Sequence, residues 1–128
     1  MKNKFFILIS LISFTSLSHA ALEYEVRGVE RSSNMFGEAI CVSLYIVNDS
    51  RKSYEFNLFA IEARGDGLSA MPSVLVTKSP EFNPNATLTS GGKVRGWLCF
   101  DEPEYGWTPE QIEFSSIFGS AFLTVQVN

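Results

Sequence analysis

Histidine is almost missing from this chain. Among its 128 residues only His19 is an imidazole, so everything beyond position 19 lacks the side chain whose ordinary pKa best suits proton transfer near neutrality. The same gap removes the commonest ligand of zinc and copper. Ser-His-Asp and Cys-His arrangements and histidine-rich copper sites are excluded from any product that begins after that position. Basic residues are also scarce, with 10 Lys plus Arg against 14 Asp plus Glu and no basic run. Nucleic acid and anionic membrane are therefore not expected partners. No stretch of ten or more residues carries a 3.6-residue apolar period, which leaves no amphipathic helix to predict. Cysteine is limited to Cys41 and Cys99.

The first residues read as an export signal. Lys2 and Lys4 give a positive start, Phe5 to Ile12 is apolar apart from Ser10, and Ser18-His19-Ala20 offers small residues at the two positions a signal peptidase reads. Cleavage after Ala20 is expected. The competing reading, an uncleaved anchor, needs ~20 apolar residues, and this run is shorter. Cleavage removes the one histidine and two lysines, leaving residues 21–128 with 8 basic against 14 acidic side chains, a net charge of -6. That is one domain, large enough to bury most of its unfolded surface. No cysteine follows the cleavage point to carry a lipid, so no membrane insertion is expected after processing. The product is expected in the periplasm or outside the cell, where two cysteines form a structural disulfide. A redox-active pair would sit closer in sequence, as Cys-x-x-Cys.

The mature part is built of alternating segments. In Lys93 to Phe100, after Gly91-Gly92, the set Val94, Leu98 and Phe100 opposes Lys93, Arg95, Trp97 and Cys99. In Ala39 to Asn48, the set Ile40, Val42, Leu44 and Ile46 opposes Cys41, Ser43, Tyr45 and Val47. Leu22 to Glu30 predicts an edge-like strand, and Arg31 to Glu38 a loop whose Met35 and Phe36 turn back towards the core. Tyr54 to Ala63 predicts a strand with a bulge near Leu58, because Leu58 and Phe59 both fall on core-facing positions. Gly65-Asp66-Gly67 predicts a turn, followed by short strands at Leu68 to Met71 and Val74 to Thr77 with Pro72 between them. Leu88, Gln111 to Ser115 and Ala121 to Val127 complete about seven to nine short strands, which predicts an all-β, immunoglobulin-like two-sheet sandwich. A small closed barrel is the competing architecture. Both cysteines lie on the less apolar face of their strands. Parity thus places the disulfide on an outer sheet face between neighbouring strands, unless a bulge reverses it.

The succession CVSLYIVNDS, YEFNLFAIEARGDG and LTSGGKVRGWLCFDEP resembles a group of secreted bacterial immunoglobulin-like domains of unknown function, the group containing the small extracellular antigen of mycobacteria. The matching positions are Asn48, Asp66-Gly67, Gly91-Gly92, Phe100 and Pro103, and they span Ile40 to Pro103. The resemblance implies the sandwich fold and export. It implies no catalytic residue and no cofactor.

The candidate binding site is the Asp101 to Trp107 loop, where Asp101, Glu102 and Glu104 stand beside Tyr105 and Trp107. Exposed aromatics on such a loop stack on sugar rings or anchor a partner protein, and carboxylates bond hydroxyls. In the competing reading Tyr105 and Trp107 fold back over the open end of the core. The loop lacks the spaced oxygen ligands of a calcium site. On the outward face, Trp97 and Arg95 form an adhesive patch with Tyr45 if their strands are neighbours; the competing and favoured reading lays Trp97 across the disulfide as its cover. Asn48 and Asn85 each begin a glycosylation acceptor pattern, which has no meaning in a bacterial protein. The sequence thus predicts a monomeric, non-catalytic binding domain whose partner is a protein or a glycan. The alternatives are a carbohydrate-binding module and, behind it, a carboxylate-based hydrolase.

Overall fold

The computed structural model describes residues 22–128. The expected signal segment, residues 1–20, lies outside them. The ordered elements are β1 (Leu22–Asn34), β2 (Gly37–Asn48), β3 (Tyr54–Glu55), a 3-10 turn (Leu58–Ala60), β4 (Ile61–Gly65), β5 (Leu68–Ala70), β6 (Thr87–Leu88), β7 (Lys93–Asp101), β8 (Gln111–Ser115) and β9 (Ala121–Gln126). Among the described residues no α-helix forms. Antiparallel pairing gives one sheet in the order β1-β2-β7, a second in the order β9-β8-β4-β5, and a small ladder β3-β6. The two main sheets do not join, so the architecture is the sandwich and not the barrel.

Alternation determines what lies between the sheets. Ile40, Val42, Leu44 and Ile46 of β2 are fully buried against Leu98 and Phe100 of β7 on one layer and Ile61, Ile112, Phe114 and Val125 on the other. Phe56 and Phe82 fill the middle: Phe56 lies 5.2 Å from Phe114 and 6.0 Å from Phe82 between ring centroids. Aromatic pairs at such spacings add attraction beyond the area they bury.

The opposite parity holds the disulfide. Cys41 and Cys99 are direct cross-strand partners of β2 and β7, with Cα atoms 3.9 Å apart, and they bond on the outer face of the three-stranded sheet. Ala39, Val76 and Trp97 cover them. The bond closes a loop of 58 positions, for which chain entropy gives roughly 4 kcal/mol of stabilisation.

The free edge of β7 is blocked by loop backbone. Ser73 N donates to Cys99 O (2.8 Å), Trp97 N to Pro80 O (2.8 Å) and Phe82 N to Trp97 O (3.0 Å). Covering an edge in this way prevents pairing with another chain. It also explains Gly96, whose φ is 146°: a Cβ there would lie 2.5 Å from Phe82 N and 2.6 Å from Glu81 C.

Three expectations fail locally. Arg31 to Glu38 is not a loop: β1 and β2 stay paired from Leu22↔Asn48 to Asn34↔Gly37, and only Met35 and Phe36 turn. The polar residues there extend a hairpin beyond the sandwich, where the backbone ladder needs no apolar side chains. Met35 and Phe36 accordingly face solvent instead of the core. The segment Tyr54 to Ala63 is broken, not bulged: Asn57 caps a 3-10 turn by accepting from Phe59 N, the chain passes from the small ladder to the second sheet, and Phe59 is exposed. Val74 to Thr77 forms no strand, and only its Val76 is buried, against the disulfide it covers.

Gly96→Ala is expected to lower the unfolding free energy by about 3 kcal/mol in urea titration, since the added carbon meets backbone and the φ is unfavourable for an L-residue.

Candidate functional site

The Asp101 to Trp107 loop is strapped down at two points. Arg31 donates from Nε (2.9 Å) and Nη2 (2.6 Å) to Glu102 Oε2, and Nη2 also reaches Trp107 O at 3.0 Å. Trp107 is only 4% exposed and donates Nε1 to Gly65 O at 2.8 Å, so its indole fills the end of the core beside the β4-β5 turn. Tyr105 is 89% exposed at the apex, next to Gly106 with φ of 85°. The five residues thus separate by role. Trp107 is a core residue and Glu102 an ion-pair partner, while Asp101, Glu104 and Tyr105 face water. Trp107 is therefore unavailable for stacking on a ligand, and a two-ring platform does not form. Glu104 and Tyr105 border a polar cleft of about 280 Å³ with Asp66 and Glu110. Among the described residues no group of three or more His, Cys, Asp or Glu is placed to hold a metal ion.

A more exposed apolar feature lies at the same end. Met35 is 90% exposed and Phe36 63%, at the tip of the β1-β2 hairpin, with Leu75 at 58% alongside. Asn34 holds the backbone of two of them: its Nδ2 donates to Leu75 O (2.8 Å) and its Oδ1 accepts from Phe36 N (2.8 Å). Ser32 Oγ donates to Thr77 O at 3.2 Å, and Lys78 Nζ pairs with Glu30 at 3.2 Å. Sequence reasoning missed this tip because it ended β1 early and turned both side chains inward.

On the outer face of the three-stranded sheet β2 and β7 are neighbours, with Tyr45 opposite Arg95 and Ser43 opposite Trp97. Trp97 reaches across Ser43 to β1, where a Cβ on Gly28 would lie 3.3 Å from its Cη2. Its ring covers the disulfide and is itself covered by Lys78 Nζ, 5.0 Å from the centroid. Arg27 lies 4.4 Å over the Tyr45 ring in the same manner. On the second sheet Arg64 donates to Glu62, and that hydrogen bond, followed by the charges of Glu62 and Glu113, holds the guanidinium pKa above its ordinary value.

A wider concavity than the polar cleft lies at the other end, where β1 begins. A groove of about 930 Å³ runs between Leu22 and Tyr24 on one wall and Ala121 to Thr124 on the other. Tyr54, Phe56 and Phe122 form its floor, with Phe56 and Phe122 stacked at 5.8 Å and Tyr54 5.2 Å from Phe122. These rings come from segments far apart in sequence, so no local motif signals the groove.

No family model and no curated protein matches this chain. Among solved structures it is similar to MPT63, a secreted protein from Mycobacterium tuberculosis whose crystal structure was determined at 1.5 Å resolution. The TM-score is 0.56 at 18% sequence identity, and 82% of each chain is covered. At that identity the likeness establishes the fold: the chain is an immunoglobulin-like β-sandwich, as the sequence resemblance to a mycobacterial extracellular antigen implied.

Trp107→Ala is expected to cost about 3–5 kcal/mol of stability, because it empties a core site and orphans Gly65 O. Tyr105→Ala is expected to change stability by less than about 0.5 kcal/mol. Urea unfolding followed by circular dichroism measures both.

Proposed function

We propose that this chain is an exported, non-catalytic binding domain whose partner is a protein at the cell surface or in the periplasm, held by the end of the sandwich that carries the β1-β2 tip. One observation carries the reading: Met35 and Phe36 project into solvent on a turn whose backbone is pinned by Asn34. Large apolar side chains exposed on an ordered turn forgo burial in their own core. With the turn backbone held by Asn34, only side-chain rotamers remain to be ordered on binding, which favours an interface anchor. Leu75 and Tyr105 enlarge the same end, and the Arg31-Glu102 pair stiffens the loop beneath. Export by the leader at residues 1–20, cleaved after Ala20, brings the domain to such a partner.

The lack of histidine beyond position 19 supports the non-catalytic part of the reading. A glycan reading now has Tyr105 as its one stacking ring, beside the exposed Asp101 and Glu104, since Trp107 is in the core.

A photo-crosslinking residue placed at Phe36 is expected to trap one defined protein in the native compartment, whereas the same residue at Arg51, at the opposite end, traps none. Met35→Ala/Phe36→Ala is expected to weaken capture by that protein at least tenfold with an unchanged melting temperature. Equal trapping from both positions contradicts the reading. Retention on a defined glycan, lost in Tyr105→Ala, would replace it with a carbohydrate-binding module.

A further inference from the structure

The groove at the start of β1 lies at the far end from the hairpin tip and needs a separate account. We propose that it binds a single-chain amphiphile with an anionic head and an apolar tail, of the long-chain fatty-acid class.

The floor supplies the apolar half of the site. Tyr54, Phe56 and Phe122 pack ring against ring, and Phe122 is brought inward by the register shift between β8 and β9, which leaves it unpaired between Ala121 and Leu123. A bulge of this kind re-aims a side chain that regular alternation would send outward. The β9 wall belongs to a stretch, Phe114 to Asn128, without one charged side chain, so nothing on it opposes an alkyl chain.

The rim supplies the polar half. Lys52 lies with Nζ 5.5 Å from the Tyr54 centroid at the mouth, and among the described residues no carboxylate is within salt-bridge distance of it. Ser53 and Ser120 stand with it at the lining, where their hydroxyls are suited to carboxylate oxygens; Glu55 is the one acid there. Tyr24, also on the lining, accepts from Gln126 N at 3.1 Å and so ties β9 to β1 beside the groove. The volume is in the range of small-molecule sites.

The same details disfavour an extended peptide. Among the described residues no strand pairs with the outer edge of β9, and such an edge invites strand addition. Here the shift at Phe122 interrupts the ladder and Tyr24 already holds the Gln126 amide, so too few regular positions remain. A lone chain with a charged end needs no ladder.

Titration of the exported protein with cis-parinaric acid, followed by its fluorescence, tests the assignment. Saturable binding of one molecule per chain is expected. Lys52→Ala is expected to weaken the acid at least tenfold while leaving the matching long-chain alcohol, measured by displacement, within twofold. Phe122→Ser is expected to weaken acid and alcohol alike, and Lys93→Ala, a cation on another face, neither. Circular dichroism of each variant confirms its fold, and the Lys52 and Lys93 variants keep the test open if Phe122→Ser fails to fold. Absence of saturable binding overturns the proposal, as does equal loss of acid and alcohol in Lys52→Ala. Association seen only with anionic phospholipid vesicles overturns it too, because it places the contact at a membrane surface. None of these outcomes depends on a protein partner at the hairpin tip.

Discussion

β2 has a strand on each side, and every layer of the molecule is positioned by its alternation. Its even-numbered residues from Ile40 to Ile46 are buried between the two main sheets, while its odd-numbered residues carry the cross-strand sulfur and the Tyr45 ring on the outer face. A slip of one position in its pairing would exchange these sets, exposing four aliphatic side chains and driving Cys41 inward. The disulfide between register partners Cys41 and Cys99 permits only one alignment of β2 on β7. Burial on one face and a covalent bond on the other therefore enforce the same register.

That agreement explains why so much of the fold was legible. Segments with strict two-residue periodicity, Ala39 to Asn48 and Lys93 to Phe100, are strands over those residues, and the parity of Cys41 and Cys99 gave the side of the sheet on which they bond. Legibility ended where something other than alternation decides. Arg31 to Asn34 stays in a strand because its backbone pairs with β2, although its polar side chains carry no core-facing signal. Asn57 breaks Tyr54 to Ala63 through one side-chain bond to Phe59 N, a contact that local propensity does not reveal in an apolar run.

The loop of acids and aromatics shows the same limit from the functional side. Its composition fits a binding site, yet the destination of Trp107 depends on the Gly65 carbonyl, 42 positions away. Glu102 is likewise committed by Arg31, 71 positions away. What remains exposed is Tyr105 with the carboxylates of Asp101 and Glu104, on the same end as Met35 and Phe36. The aromatic groove was illegible for a related reason, since its floor assembles only after β3 and β9 come together. The two ends thus differ in kind: one carries Met35 and Phe36 on a hairpin tip, the other has a groove lined by aromatic rings and Lys52, beside the exposed Ile117 and Phe118 of the β8-β9 turn. Neither depends on proton transfer, in keeping with a chain whose single imidazole lies at position 19.

Native-state hydrogen exchange measured residue by residue is the most direct test of the role given to β2. The amides of Ile40 to Ile46 are expected to exchange only through global unfolding, with the highest protection in the protein, while those of Arg31 to Asn34 in the projecting hairpin exchange through local opening. Protection in β4 and β8 that outlasts β2, or β2 amides that open as readily as the hairpin, would contradict the account.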